Sequence, residues 1–224
     1  MGKLLVLEGL DGSGKSTQTA LLKQRLADSG TAVRAIKLPD YESPSSALVN
    51  LYLGGAFGSD PSAVNAYAAS SFYAVDRIAS FLLDWKKDYD EGKLVLADRY
   101  TSSNPIYQMT KLPRDEWDSY LAWVHSYEYE KLGLPEPEKV VFLDMPVEIS
   151  QAMMSRRYEG DETRKDVHES HVEFLNDCRA AALYTADAWN WDVIRCWEGD
   201  EPRSIEAIAD ELWQTVLPLI GETS

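Results

Sequence analysis

"LEGLDGSGKST", Leu7–Thr17, is the stretch on which the fold turns. It follows the apolar run Lys3–Leu7, which has the character of a buried parallel strand. It precedes Gly14–Asp28, where Leu21, Leu22 and Leu26 recur at helical spacing. Gly9 to Ser16 fits G-x-x-x-x-G-K-[ST] in full. Average residue frequencies would produce that pattern by chance in a chain this long on the order of one time in a hundred. Each position has a physical task. Gly9, Gly12 and Gly14 let the backbone of Leu10, Asp11 and Ser13 curl so that N–H groups point inward at phosphate oxygens. The helix that starts near Gly14 and continues through Thr17 adds its positive dipole end. Lys15 is expected to reach the β and γ phosphates of ATP, and the Ser16 hydroxyl to ligate Mg²⁺. GTPases, ATPases and small-molecule kinases all use such a loop, so it defines nucleotide binding and leaves the reaction open. Asp11, a carboxylate inside an anion cradle, is the anomaly to be explained.

Outward from the loop, strands and helices alternate. Ala32–Leu38, Lys93–Ala97, Lys139–Asp144 and Asp192–Cys196 have strand character. Helices are expected at Pro44–Leu53, from Asp60-Pro61 to Tyr89, and at Asp115–Lys131, Val147–Arg157, Val167–Trp189 and Pro202–Leu219. Asp60-Pro61 pairs an N-cap acid with proline at the first helical position. Val64, Ala68, Phe72, Val75, Ala79 and Leu82 form an expected apolar stripe on the second of these helices, and Trp117, Leu121, Val124 and Tyr127 one on the third. The alternation predicts an α/β protein with a parallel, five-stranded sheet and helices on both faces, a single domain over residues 1–224.

The formal charge of −15, from 37 acidic and 22 basic residues, argues against broad nucleic-acid binding and against an anionic membrane surface. No apolar stretch approaches membrane-spanning length. Cys178 and Cys196 make neither a metal cluster nor a disulfide framework, which suits a reducing cytoplasm. His168 and His171, in "HESH", lack the spacing of a zinc site and read as ordinary helix residues.

A GTPase switch would need N-K-x-D and a post-strand D-x-x-G, and neither is present. The informative pieces are "SFYAVDR" at Ser71–Arg77, "ADRYTSSNPIYQ" at Ala97–Gln108 and the arginine-bearing segment near residue 160. Tyr73 and Arg77 are four apart on one helix face, off the expected apolar stripe. A ring beside a guanidinium suits an aromatic base, and a surface tyrosine packed over an arginine stem is the plainer alternative. Asp98 and Arg99 follow the third strand directly, at the carboxyl end where open parallel sheets bind ligands. There Asp98 can hold the water shell of Mg²⁺ and Arg99 can neutralise phosphate; an internal ion pair is the competing reading.

With "EGLDGSGKSTQ", "FYAVDR", "DRYTSSNPIYQ" and "GLPEPEKVVFLDMP" in order, the chain resembles the thymidylate kinase family, in its bacterial branch, across nearly its whole length. The resemblance implies a P-loop nucleoside monophosphate kinase-like, three-layer fold that transfers phosphate from ATP to dTMP with Mg²⁺ at Ser16 and Asp98. It places Tyr73 on the thymine ring and Arg77 on a base carbonyl oxygen, with Ser103 and Asn104 beside the base. Tyr107 would crowd the sugar 2′ position, and Gln108 completes the motif. Arg99, Lys37 and Tyr41 would meet the acceptor phosphate. Asp11 would turn away from the donor to accept a hydrogen bond from the acceptor's 3′-hydroxyl, so a carboxylate of the acceptor site is built into the donor loop. Gly12-Ser13 fill positions where another branch carries an arginine, so the lid, about residues 156–166, would supply it from Arg156, Arg157, Arg164 or Lys165, with Arg157 and Arg164 favoured. The sequence departs from the family at Leu38, Asp40 and Tyr41, which bears on acceptor affinity. A homodimer packed through helices is implied, with no nucleic-acid or membrane partner. A kinase of other nucleoside monophosphates and a non-catalytic nucleotide-binding module stay open at this point.

Overall fold

The structure is a computed structural model that describes residues 1–58, 60, 63–157 and 172–221, with the side chains of 155–157 not among those described. Strands β1 (Lys3–Gly9), β2 (Val33–Lys37), β3 (Leu94–Asp98), β4 (Lys139–Asp144) and β5 (Asp192–Arg195) form a five-stranded sheet in the order β2-β3-β1-β4-β5. β2 runs parallel to β3, with Lys37 opposite Asp98, and β4 parallel to β5, with Asp144 opposite Arg195. β1 and β3 are buried almost throughout, which is why they read as unbroken apolar runs with no alternation. The expected α/β architecture with a parallel sheet is the one observed.

The chain divides into two compact units, Met1–Val6 with Val33–Glu138, and Leu7–Ala32 with Lys139–Ser224. In the first, a short helix α2 (Ala47–Leu53) packs on α3 (Ala66–Ser80), which runs on through a π-helical turn at Phe81–Trp85 into α4 (Lys86–Asp90). Then come α5 (Ser103–Gln108) and α6 (Trp117–His125), the latter extended by a second π-helical turn, Ser126–Lys131. The start of α3 differs from the sequence expectation. Pro61 lies outside the described residues, and the helix opens at Ala66, where the Asn65 side chain accepts the Ala68 N–H at 2.9 Å.

The buried face of α3 also differs. Val75 is 44 % exposed and Leu82 58 % exposed, while Ala66, Ala69, Ser70, Ala74, Asp76 and Arg77 are buried. The helix therefore turns its more polar face inward and leaves part of its apolar stripe outside. Such an inversion needs partners for the buried polar groups, and most of them have one. Asp76 accepts from Ser45 Oγ at 2.6 Å and from Asp40 N at 3.1 Å, pinning the loop after β2. Ser70 Oγ shares a hydrogen with Tyr120 OH at 2.5 Å.

In the second unit, α1 (Lys15–Asp28) packs on α9 (Ile205–Ile220), and α7 (Val147–Arg157) on α8 (Val172–Ala188). Gln18 Nε2 donates to Ile205 O at 2.9 Å and Arg25 Nη1 to Ala209 O at 3.0 Å, which ties α1 to the start of α9. The last helix begins at Ile205 on a Ser204 cap, later than expected, because a hairpin of β6 (Trp197–Glu198) and β7 (Glu201–Pro202) occupies the intervening residues. Residues 158–171 lie outside the description, so the lid reading at Arg164 and Lys165, and that of His168 and His171, fall there, as do the side chains of Arg156 and Arg157.

Candidate active site

The phosphate loop stands where the sequence puts it, between β1 and α1. Gly9 has no room for a side chain: a Cβ there would lie 2.5 Å from Ser13 Oγ and 3.3 Å from Leu143 O. Gly14 has φ +83°, a left-handed conformation costly for any residue with a Cβ, and it is the N-cap of α1. No side chain caps that helix start, so its first amides keep their capacity to bind an anion. Ser13 N donates to Leu10 O at 3.1 Å, closing the turn, and the Ser13 hydroxyl is buried without a hydrogen-bond partner among the described residues. Lys15 is largely buried while Ser16 and Thr17 are exposed. In the same unit, the Asp144 carboxylate ends β4 and takes Arg179 in a fork, from Nε at 2.6 Å and Nη2 at 2.8 Å. Trp197 Nε1 reaches the same carboxylate at 3.3 Å. Arg179 is held above its usual range chiefly by that bond.

The other unit gathers the residues expected around the acceptor. Arg77 is 3 % exposed. The surface-packing alternative for it is therefore excluded, and so is the expectation that its face lies off the core. It forms an ion pair with Glu128, itself 1 % exposed, and donates from Nη2 to Tyr100 O at 3.0 Å. Its Nε is buried without a hydrogen-bond partner among the described residues. Asn104 Nδ2 donates to the other Glu128 oxygen at 2.7 Å and, more weakly, to Ser70 O at 3.4 Å. Burial pushes the Glu128 carboxyl up, and Arg77 and Asn104 draw it back. Arg99 has φ +68°, rare for a residue with a side chain, and this turn after β3 sends its guanidinium to Tyr107 OH at 2.7 Å.

Tyr73 lies within the field of Tyr41, Tyr52, Arg99 and Arg77, and burial is the main cause that raises its phenol. Tyr52 meets its ring edge-on, with centroids 6.4 Å apart. Lys37 and Tyr41 are exposed at the rim, Ser103 is half-buried, and Gln108 is buried with an Oε1 that lacks a partner among the described residues.

Two residues escaped the sequence reading. Glu128 sits seven residues after Leu121 and four after Val124, on the buried stripe of α6, so a carboxylate on an apolar register was the available signal. Lys111 donates to Tyr52 OH at 2.7 Å and to Val64 O at 3.0 Å, and burial holds its ammonium down at about 8. Nothing in its local sequence marks it.

A parallel α/β sheet whose first strand feeds a glycine-rich loop and an uncapped helix defines a P-loop fold of the nucleoside monophosphate kinase type. The thymidylate kinase family model matches residues 7–195, and the chain belongs to that family. It is 30 % identical to the thymidylate kinase of Mycobacterium tuberculosis over 200 residues, 85 % of this chain and 90 % of that one. It is 28 % identical to that of Thermomicrobium roseum over 220 residues, 96 % and 95 % of the two chains. Among solved structures, thymidylate kinase from Candida albicans superposes with a TM-score of 0.70 at 21 % identity, over 98 % of this chain and 92 % of that one, which supports the fold.

Proposed function

We propose that the chain transfers the γ-phosphoryl group of ATP to dTMP, giving dTDP and ADP. The carrying observation is the buried Arg77–Glu128–Asn104 cluster beside Tyr73, in a chain of the thymidylate kinase family. A nucleotide switch or passive binding module has no use for a second, buried polar cluster. The donor phosphates belong on the loop amides, Lys15 and the start of α1. The acceptor ring belongs on Tyr73, with Asn104, Ser103 and Gln108 around the base and Tyr107 against the sugar. Lys37, Tyr41 and Arg99 hold the acceptor phosphate, and Asp11 accepts from the 3′-hydroxyl.

No general base is required. The acceptor phosphate, like other phosphomonoesters, has a second pKa of about 6 and is mostly dianionic at neutral pH. The chain's task is to position two polyanions and offset their repulsion. The Ser16 hydroxyl and Asp98 carboxylate supply hard oxygen donors, the type Mg²⁺ prefers. When bound, the ion neutralises charge on the donor phosphates. Arg157 and Arg164, in a lid at about residues 156–166 of one kinase domain, provide the closing positive charge.

A homodimer is supported by the apolar side chains of α2 and the α3 run that face solvent, Leu51, Val75, Leu82 and, at 84 %, Leu83. A monomer by light scattering at micromolar concentration would refute it. No described helix is long and apolar enough to cross a membrane, and Cys178 and Cys196 are buried thiols, in keeping with a cytoplasmic enzyme. The deciding experiment is a coupled ADP-release assay with ATP and Mg²⁺ across ribo- and deoxynucleoside monophosphates. dTMP should give the highest kcat/KM. ADP release with none of them, despite nucleotide binding, would leave a non-catalytic module.

A further inference from the structure

We infer that Asp76 is a positioning residue for the acceptor phosphate: it fixes the loop after β2 so that Tyr41 is presented to that phosphate. The inference rests on the reading that Tyr41 and Lys37 meet the phosphate of dTMP. Asp76 stands on α3 one residue before Arg77, but it serves a different element. Its Oδ2 accepts the Asp40 N–H at 3.1 Å and its Oδ1 the Ser45 hydroxyl at 2.6 Å. The residue is 1 % exposed, and no lysine or arginine pairs with it among the described residues. A buried carboxylate without a counter-charge is costly unless donors are held against it. It can only accept, so both bonds form only when the loop brings an N–H and an O–H to it together. One loop conformation does so.

The rest of the loop is tied to the same end. Leu38 N donates to Asp98 O at 3.1 Å, and Ser43 N to Asp40 O at 3.0 Å, closing a turn around Tyr41. The Ser43 and Ser45 hydroxyls share a hydrogen at 2.8 Å, which extends the grip of Asp76 along the loop. From α2, Asn50 Nδ2 donates to the Tyr41 carbonyl at 3.1 Å. Tyr41 is therefore held by its backbone on both sides, through Asp40 by Asp76 and at its own carbonyl by Asn50. Its side chain is exposed, and after burial its phenol is the next cause that raises the Tyr73 phenol, so it turns toward that ring. The chain carries no arginine between Lys37 and Pro44. A guanidinium brings a charge that acts at a distance, whereas a phenol brings a single O–H that acts only at hydrogen-bond range. A tyrosine in this place needs a fixed loop more than an arginine would.

The test measures kcat and KM for dTMP, KM for ATP, and inhibition by thymidine, which lacks the phosphate. Wild type is compared with Asp76→Ala, Asp76→Asn and Ser45→Ala. Asp76→Ala removes both bonds, and KM for dTMP should rise at least about tenfold. Thymidine inhibition, kcat and KM for ATP should stay within about threefold of wild type. Asparagine still accepts from the Asp40 N–H and can donate to Ser45 Oγ, so Asp76→Asn should recover most of the loss. In a Tyr41→Phe background the Asp76→Ala penalty should shrink to about threefold or less, because the group being placed is gone. Thymidine inhibition that weakens in step with KM for dTMP overturns the inference, since the damage then reaches the base side through Arg77. An unchanged KM for dTMP in Asp76→Ala overturns it too, as does a full penalty in the Tyr41→Phe background. A wild type without activity on dTMP overturns the functional reading instead. Should Asp76→Ala fail to fold, Ser45→Ala decides, since it removes one bond from a half-buried hydroxyl. KM for dTMP should then rise about threefold with thymidine inhibition unchanged, and no rise overturns the inference.

Discussion

The phosphate loop and the Arg77–Glu128–Asn104 cluster, the two places proposed to hold ligand groups, are built by opposite means. The loop works through backbone: consecutive residues with no room for a side chain at Gly9, left-handed conformations at Gly12 and Gly14, and a helix start with no side chain over it. The cluster works through side chains drawn from α3, α5 and the π-helical turn after α6, with Arg77 and Glu128 separated by 51 positions and Asn104 and Glu128 by 24. A backbone device tolerates substitution of most of its side chains because its donors are amides. A side-chain device fails when one partner is removed, since the others are then buried with unmet charge. Mutations in the loop should thus separate activity from stability, and mutations in the cluster should not.

Arg77→Met breaks the comparison most severely. It leaves Glu128, 1 % exposed, without its counter-charge, and removing one partner of such a pair costs about 3–5 kcal/mol. A chemical-denaturation curve should show that loss, together with weaker dTMP binding. A variant as stable as wild type would mean that the pair is dispensable. Lys15→Ala is the counterpart in the loop. Losing one charged contact to a transferring phosphoryl group lowers kcat by about 10²–10³. The same denaturation curve should move far less than it does for Arg77→Met.

The contrast also explains what could be read before the fold was known. The loop, the five strands and most of the helices announced themselves because local chemistry enforces them: glycine at positive φ, apolar runs in buried strands, 3.6-residue periodicity. The face of α3 did not. Apolar spacing alone put Val75 and Leu82 inside and Arg77 outside, and the outcome is reversed because Glu128 neutralises Arg77 from another helix. The one local trace of that pairing is Glu128 itself, a carboxylate on the apolar register of α6. The hairpin Trp197–Pro202 and the true start of α3 at Asn65 were missed for a related reason, since a proline or a cap residue marks a possible boundary without selecting among neighbouring ones.

Asp11 sharpens the comparison from the loop's side, because its proposed task lies with the acceptor and not with the donor phosphates. Asp11→Ala removes a charge-assisted acceptor for the 3′-hydroxyl, worth about 1.5–3 kcal/mol. kcat/KM for dTMP should fall by roughly ten- to a hundredfold while ATP affinity stays near wild type. Equal losses for both substrates would place the carboxylate on the donor side and remove the reason offered for its presence.

The smallest expected effect tests whether the cluster's support extends to Lys111. Its ammonium contacts Tyr52 OH and the Val64 carbonyl, and Tyr52 in turn meets the edge of Tyr73. Burial lowers this lysine to about 8, whereas in the unfolded chain it titrates near its ordinary value of about 10.4. Between those values the unfolded chain holds a proton that the folded chain has released, so stability must rise with pH across that window. Below pH 8 the penalty for the buried charge is present in full. Lys111→Met abolishes the titration. The stability of wild type relative to the variant should therefore climb from pH 8 to pH 10, by no more than about 1 kcal/mol because the ammonium keeps partial access to solvent. Unfolding curves taken at pH 7, 8, 9 and 10 on both proteins measure the slope directly. A flat difference would show that Lys111 stays solvated and that Tyr52 braces Tyr73 without it.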